Sequence, residues 1–234
     1  IRSPRGFTYP DGQIRIPSIV DAGPKKGDLL IVGEGGLAEF PDNAGEISGI
    51  ILDLQSLPPM NDAEIEAILV SLSSHLSSSS LILLRDGADR IEGLFRLVVD
   101  LDLDGAIVSL ATPGGGRAAA ALPRIGLASR AMGLDTQGRI IGIELEKQPS
   151  AEDLIIVRAS GCSFVVGPID EGNEISDISE TIIPEIVGIM KEAGLSNFHN
   201  VGRRILRAKD METAAISGLR LIGFERPLPM WLGN

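Results

Sequence analysis

Residues 49–84 decide the fold class of this chain, because they contain two apolar runs separated by one segment of helical periodicity. The first run reads GIILDL at residues 49–54, and the second reads LILL at residues 81–84. Each run has the length and the aliphatic content of a buried parallel strand. Between them, Asn61 or Asp62 can cap a helix whose apolar side chains share one stripe: Ile65, Ile68, Leu69, Leu72 and Leu76. This order predicts a right-handed strand–helix–strand unit.

The same alternation of strand and helix extends through most of the chain. Six apolar runs have the character of buried strands: 28–32, 49–54, 81–84, 105–110, 139–145 and 163–167. Helical segments are predicted from residue 61, at 88–100, at 118–132 with a break near Pro123 and Gly126, from a Ser150 cap, at 176–193 and at 207–217. The pattern predicts an α/β fold, a parallel βα barrel of the TIM type. Six runs are fewer than the eight strands of a closed barrel, so an incomplete or open barrel is expected.

The chain of 234 residues fits one domain of this type. We expect an irregular N-terminal segment at 1–27, a barrel-like domain at 28–223 and a C-terminal tail at 224–234. The N-terminal segment is rich in Pro, Gly and charge, and only residues 13–16 alternate in the manner of a short edge strand.

Composition excludes several classes of function. The chain has 32 acidic and 21 basic residues, a formal net charge of −11, which opposes binding to a nucleic-acid backbone. One cysteine and two histidines exclude an internal disulfide, a Cys/His structural zinc site and a Cys-ligated iron–sulfur cluster. We therefore expect no metal site. No apolar run is long enough to span a bilayer, so we expect no membrane contact and a cytoplasmic location.

The segment Gly33-Glu34-Gly35-Gly36-Leu37-Ala38 follows a predicted strand and fits the dinucleotide-binding pattern Gly-x-Gly-x-x-Gly/Ala. Asp53, about 20 residues on, occupies the place of a ribose-binding acid. The turn residues within 37–47 leave little room for the helix that such a site needs. Dinucleotide binding is therefore an alternative interpretation rather than the first.

A second glycine-rich segment, Thr112 to Arg117, follows the run 105–110 and precedes an Ala-rich helix. Its glycines allow a backbone to approach a phosphate or a flavin closely, and Arg117 supplies positive charge. A flexible connecting loop is an equal alternative. If a ligand binds, we expect it at the C-terminal ends of the strands. The groups expected there are Gly35, Gly36, Gly114, Gly115, Gly116 and Arg117, with Asp53 and Arg85 on the same rim.

Four stretches together resemble the FMN-binding synthase barrel of glutamate synthase, especially its archaeal-type and N-methylglutamate-synthase-like relatives. They are Gly23–Gly27 with Gly33–Gly36, Leu103–Ala118, Ser150–Gly167 and Leu206–Gly218. The resemblance implies an FMN cofactor cradled by Gly35, Gly36, Gly114, Gly115, Gly116, Arg117 and Gly167. Because Arg85 and Asp53 lie on the same predicted rim, we expect them to contact the substrate.

The departures from this family concern its chemistry. The family has a Gly-Gly phosphate loop where this chain reads Ile143-Glu144-Leu145-Glu146-Lys147, and the family's three cluster cysteines are absent. Two carboxylates near a flavin phosphate would oppose its binding. If both glutamates lie on one strand, alternation sends them to the same face. We therefore expect that the chain does not bind FMN tightly by itself.

Two functions follow from these observations. The first is a glutamate synthase-like, FMN-dependent oxidoreductase domain that is degenerate at the phosphate site. The second is a non-catalytic scaffold or regulatory subunit that keeps the barrel fold. Under either interpretation we expect a homo-oligomer or a partner subunit.

Overall fold

The computed structural model describes residues 18–36, 44–111, 117–168 and 175–227. The strands within these ranges are Ile19–Val20 (β1), Leu29–Val32 (β2), Gly49–Asp53 (β3), Leu81–Gly87 (β4), Gly105–Ser109 (β5), Ile140–Glu144 (β6) and Phe164–Val166 (β7). The α-helices are Asp62–Ser73 (α1), Ile91–Asp100 (α2), Ala118–Ala131 (α3), Ala151–Ala159 (α4), Ile175–Glu192 (α5) and Met211–Ser217 (α6). The expected edge strand at 13–16 lies outside the described residues.

The strands form one sheet in the order β1-β2-β3-β4-β5-β6-β7, so strands that follow each other in the chain are also neighbours. The pairs β1–β2, β2–β3, β3–β4 and β6–β7 are parallel. Sequential parallel strands joined through helices define the TIM-barrel class of α/β fold. The prediction of an incomplete parallel βα barrel is confirmed, with seven strands among the described residues.

All six predicted strand runs are present, and no end differs from the prediction by more than three residues. The additional strand, β1, lies within residues 1–27, which the sequence predicts to be irregular. It has two residues, which is too short for any periodic pattern to reveal.

Helix starts follow local capping chemistry. The Asn61 side chain accepts a hydrogen bond from the Glu64 amide at 3.0 Å, and Glu64 accepts one from the Asn61 amide at 2.8 Å. Ser150 and Asp153 form the same reciprocal arrangement at the start of α4. Each capping box satisfies amides that the first helical turn leaves unbonded, so the predicted starts of these helices are confirmed.

Two helix predictions were wrong in detail. Helix α3 continues through Pro123 without a break, with Leu122 and Ile125 buried on either side of it. Gly126 within that helix is a site of close packing, because an added Cβ would lie 2.6 Å from the carbonyl oxygen of Ser160. The last helix begins at Met211 rather than near residue 207, because Asp210 caps it through the Thr213 amide.

The first compact unit comprises Ile1–Val108 and Met132–Ile140. Helix α2 packs against β4. The apolar face of α2 is buried against the strands. The buried side chains are Ile91, Leu94 and Phe95 of α2, Ile50, Ile51 and Leu52 of β3, and Leu83 and Leu84 of β4. Burial of this aliphatic set supplies the main stabilisation of the unit.

The second compact unit comprises Ser109–Ala131 and Ile141–Asn234. Helix α4 packs against both β7 and α5, and α3 packs against α6. Ile155 and Ala159 of α4, Met190 of α5 and Val201, which follows α5, form one buried hydrophobic cluster. No helix in the described part of the chain is long and apolar enough to cross a membrane.

Candidate functional site

Two charged residues meet at the C-terminal ends of β3 and β4. Asp53 and Arg85 are in register on these strands, so their side chains lie on one face of the sheet. The Asp53 Oδ1 atom lies 2.7 Å from Arg85 Nη1, and each side chain is 12% exposed. The Gln55 amide also donates to Asp53 Oδ1, at 3.3 Å. The expectation that Asp53 and Arg85 share a rim is met, whereas their role in binding stays a prediction.

A second carboxylate, Asp86, lies on the opposite face of β4, because side chains alternate along a strand. Its side chain is 4% exposed. It accepts a hydrogen bond from the Gly87 amide at 2.8 Å, and Arg90 lies 3.3 Å away. Burial raises the pKa of Asp86 above its ordinary value, although the Gly87 hydrogen bond and the Arg90 charge act against that rise.

The loops after β2, β3 and β4 are tightly packed. A Cβ at Gly33 would overlap the hydroxyl oxygen of Ser56, which itself donates to the Asp53 carbonyl at 3.0 Å. A Cβ at Gly87 would lie 2.7 Å from Gln55 Nε2. Glycine at these two positions therefore allows three strand ends to converge. Gly35, in contrast, has no heavy atom within 4 Å of the position of an added Cβ.

Arg117, a predicted cofactor residue, belongs to the second unit. Its guanidinium forms an ion pair with Glu212 of α6, and both side chains are largely exposed. Hydrogen bonds from Thr213 lower the pKa of the neighbouring Asp210, and the Arg117 charge adds to that effect. The predicted residues Gly114, Gly115 and Gly116 lie outside the described residues.

Gly167, at the end of β7, is used for packing within the protein. An added Cβ would lie 2.7 Å from Pro149 Cδ and 3.0 Å from the Lys147 carbonyl oxygen. Strand β6 ends at Glu144, and Glu146 lies beyond it in an exposed bend. The two glutamates do not share a strand, so the expectation that alternation directs both to one face is wrong.

Two features were not predicted from the sequence: the buried Asp86 and the pairing of Glu212 with Arg117. Asp86 was placed after the predicted strand 81–84, but β4 extends to Gly87 and includes the polar triplet Arg85-Asp86-Gly87. The signal that could have revealed Asp86 is its position: polar residues directly continue the aliphatic run 81–84 at the end of a strand. The sequence gives no indication that Glu212 pairs with Arg117, because the two residues are 95 positions apart in the chain. The described residues contain no group of His, Cys, Asp and Glu side chains that could hold a metal ion.

No family model and no curated protein matches the sequence. Among solved structures, DHODH from Eimeria tenella in complex with ferulenol is similar over 72% of this chain and 56% of its own, with a TM-score of 0.51 and 14% identity. Thiamine phosphate pyrophosphorylase from Pyrococcus furiosus is 16% identical over 62% of this chain and 61% of its own, with a TM-score of 0.38. An HpcH/Hpal aldolase/citrate lyase family protein from Burkholderia cenocepacia is 18% identical over 82% and 85%, with a TM-score of 0.39.

The likeness to DHODH concerns the fold, and this chain spans little more than half the length of that protein. Together with the strand order, it defines the class: a parallel βα-barrel protein with charged residues at the C-terminal ends of its strands.

Proposed function

We propose that this chain is a glutamate synthase-like barrel, related to FMN-dependent oxidoreductases, in which the site for the flavin phosphate is degenerate. Support comes from the barrel fold and from the four stretches that resemble the FMN-binding synthase domain. FMN would supply the redox chemistry, and the chain's own residues would only bind and orient it. The backbone at Gly35 and Gly36, the Gly114–Gly116 segment and Arg117 would contact the cofactor. Arg85 and Asp53 would contact the substrate.

The packing of Gly167 is the observation that carries the proposal of degeneracy. A phosphate site at a strand end needs open backbone amides around a glycine. Here the side of Gly167 that lacks a side chain is filled by Pro149 and by the Lys147 carbonyl, and a carbonyl oxygen repels a phosphate. Glu144, at the end of the neighbouring strand β6, adds negative charge. These residues do not fit the phosphate of FMN.

The second candidate is a non-catalytic scaffold or regulatory subunit. It is favoured by the mutual pairing of Asp53 and Arg85, because each charge in that pair is already compensated inside the protein. A substrate would have to replace this ion pair with contacts of equal strength.

The dinucleotide interpretation receives less support. Asp53, which would have to bind a ribose, already accepts bonds from Arg85 and Gln55. The segment Gly33–Ala38 lies partly outside the described residues, which resume at Ala44 with a 3-10 turn.

A comparison of two flavins tests the proposal. The full chain is titrated with FMN and, as the matched control, with riboflavin, which has the same ring and no phosphate. We expect FMN to bind with a dissociation constant above about 1 µM, and riboflavin to bind within about threefold of it. Fluorescence quenching of the flavin measures both values.

Submicromolar FMN binding together with much weaker riboflavin binding would show that the phosphate site is intact and that the proposal of a degenerate phosphate site is wrong. The absence of binding for both flavins would instead reject the flavin function and support the scaffold candidate.

A further inference from the structure

The segment 203–226 reverses the charge of the rest of the chain. It contains six basic residues and three acidic ones, although the whole protein carries a net charge of −11. Two of the acidic residues are engaged locally, since Asp210 caps α6 and Glu212 pairs with Arg117. We define the cationic surface as Arg204, Arg207, Lys209, Arg220 and Arg226.

Backbone hydrogen bonds join the parts of this surface. The Ala208 amide donates to the Arg220 carbonyl at 2.9 Å, and the Ile222 amide donates to the Ala208 carbonyl at 3.0 Å. These bonds hold the stretch that includes Arg207 and Lys209 alongside the stretch that includes Arg220. Arg207, Lys209 and Arg220 are separated in the sequence, but this pairing places them on adjacent stretches of backbone.

Two guanidinium groups of this surface bond to backbone carbonyl oxygens. Arg207 Nη1 donates to the carbonyl oxygens of Arg204 and Leu206, both at 2.7 Å, and Arg220 Nη1 donates to the Glu225 carbonyl at 3.4 Å. Carbonyl oxygens orient a guanidinium but leave its full charge. Within the described ranges, none of the five residues forms an ion pair with a carboxylate.

Large apolar side chains are exposed in the same segment. Met211 is 66% exposed, Ile222 is 60% exposed and Phe224 is 56% exposed. Ile222 is bonded to Ala208 through its amide, and the Phe224 amide bonds to the Leu221 carbonyl at 3.0 Å. Basic residues at positions 220 and 226 therefore flank the exposed Ile222 and Phe224, a combination typical of protein interaction sites.

We propose that this surface binds an acidic amphipathic segment of a partner protein, in which carboxylates alternate with large apolar side chains. The carboxylates would pair with the cationic surface, and the apolar side chains would cover Ile222 and Phe224. Electrostatic complementarity of this kind determines which partner binds and how fast it associates. The proposal does not depend on whether the barrel binds a flavin.

Charge decides against the other occupants. A nucleic acid or an anionic membrane is an extended polyanion, so it would also be repelled by the acidic remainder of the chain. A short segment interacts mainly with charges within about 8 Å, because salt screens more distant ones. A second copy that used the same surface in a symmetric dimer would bring two cationic surfaces together. A compact acidic segment avoids both kinds of repulsion.

The test measures binding of the full chain to a fluorescein-labelled peptide of about 12 residues, in which Glu or Asp alternates with Leu or Phe. Fluorescence anisotropy of the peptide gives the dissociation constant. The variant Arg204→Glu/Lys209→Glu reverses two charges of the cationic surface. The matched control Lys26→Glu/Lys191→Glu reverses two exposed charges elsewhere, and an uncharged peptide with Gln or Asn in place of the acids controls for apolar contacts. Urea denaturation confirms that each variant is folded.

We expect the peptide to bind about tenfold more weakly to the Arg204→Glu/Lys209→Glu variant, with less than about a twofold change in the control. Binding should also weaken as salt rises from about 50 to 300 mM. Phe224→Ala should weaken binding about threefold, whereas Val70→Ala, an equally exposed apolar residue on α1, should not.

Absence of peptide binding, equal losses in the test and control variants, or equal binding of the uncharged peptide would overturn the proposal. Tighter binding to phosphatidylserine vesicles or to single-stranded DNA than to the peptide would also overturn it. Concentration-dependent dimerisation abolished by Arg204→Glu/Lys209→Glu would show that a second copy is the occupant instead.

Discussion

The Asp53 carboxylate and the Arg85 guanidinium are paired in register across β3 and β4, 2.7 Å apart and largely shielded from water. Removing one partner of a shielded pair leaves the other charge uncompensated, which is more costly than the loss of the pair itself. We therefore expect Arg85→Met to lower the free energy of unfolding by about 3 kcal/mol. Urea denaturation at neutral pH measures the change.

Arg96→Met is the matched control for this substitution. Arg96 pairs with Asp62 at 3.0 Å and with Asp100 at 3.6 Å, but these side chains are more than half exposed. The loss should therefore stay below about 1 kcal/mol. Equal effects of the two substitutions would show that the Asp53–Arg85 pair is as well solvated as a surface pair.

Asp86 predicts a pH dependence of stability. Its pKa in the folded chain is raised above the ordinary value of 3.8, chiefly by burial. At a pH between the unfolded and the folded pKa, the folded chain therefore retains a proton that the unfolded chain has released. The stabilisation is fully present below the unfolded pKa and is lost as the pH rises through the folded pKa. Asp86→Asn imitates the protonated form at every pH and removes this dependence.

Urea midpoints at pH values from about 4 to 7 test this prediction. The midpoint of the wild-type protein, relative to that of Asp86→Asn, should fall as the pH rises. Asp135→Asn is the control, because it removes an exposed carboxylate that is not among the charges that shift the pKa of Asp86. A constant difference between the wild type and Asp86→Asn across this range would contradict the assignment.

The sequence contained enough information to predict the sheet, because buried parallel strands are short aliphatic runs and six of them are separated by amphipathic segments. It also predicted the Asp53–Arg85 rim, since the C-terminal ends of adjacent parallel strands lie at one edge. The packing of Gly167 against Pro149 could not be predicted, because it depends on how the chain turns between β6 and α4. The cationic surface depends likewise on the backbone pairing of Ala208 with Leu221.

Substitution of alanine at Gly105 and at Gly93 should change the free energy of unfolding in opposite directions. A Cβ at Gly105, at the start of β5, would overlap the carbonyl oxygen of Ile140, and a backbone atom cannot move aside easily. Gly105→Ala should therefore destabilise the protein by about 3 kcal/mol. Gly93, inside α2, has no heavy atom near an added Cβ, so Gly93→Ala should stabilise it by about 0.5–1 kcal/mol.

Thermal denaturation of the two glycine variants checks this pair. Gly93→Ala also serves as the control for any general effect of adding a methyl group. A neutral Gly105→Ala variant would show that the starts of β5 and β6 can separate without cost.

The ion pair between Arg117 and Glu212 predicts an effect on flavin binding, which rests on the proposed function. Glu212 competes with any phosphate for the Arg117 guanidinium. Glu212→Gln removes that competition while keeping the size of the side chain, and we expect it to tighten FMN binding about threefold without changing riboflavin binding. Stability should change by less than about 1 kcal/mol, because both side chains are largely exposed.

Fluorescence quenching titrations of the variant, and of Arg117→Gln/Glu212→Gln as the control, measure the effect. The gain should vanish in the double variant, and a gain that persists there would exclude Arg117 as a phosphate contact.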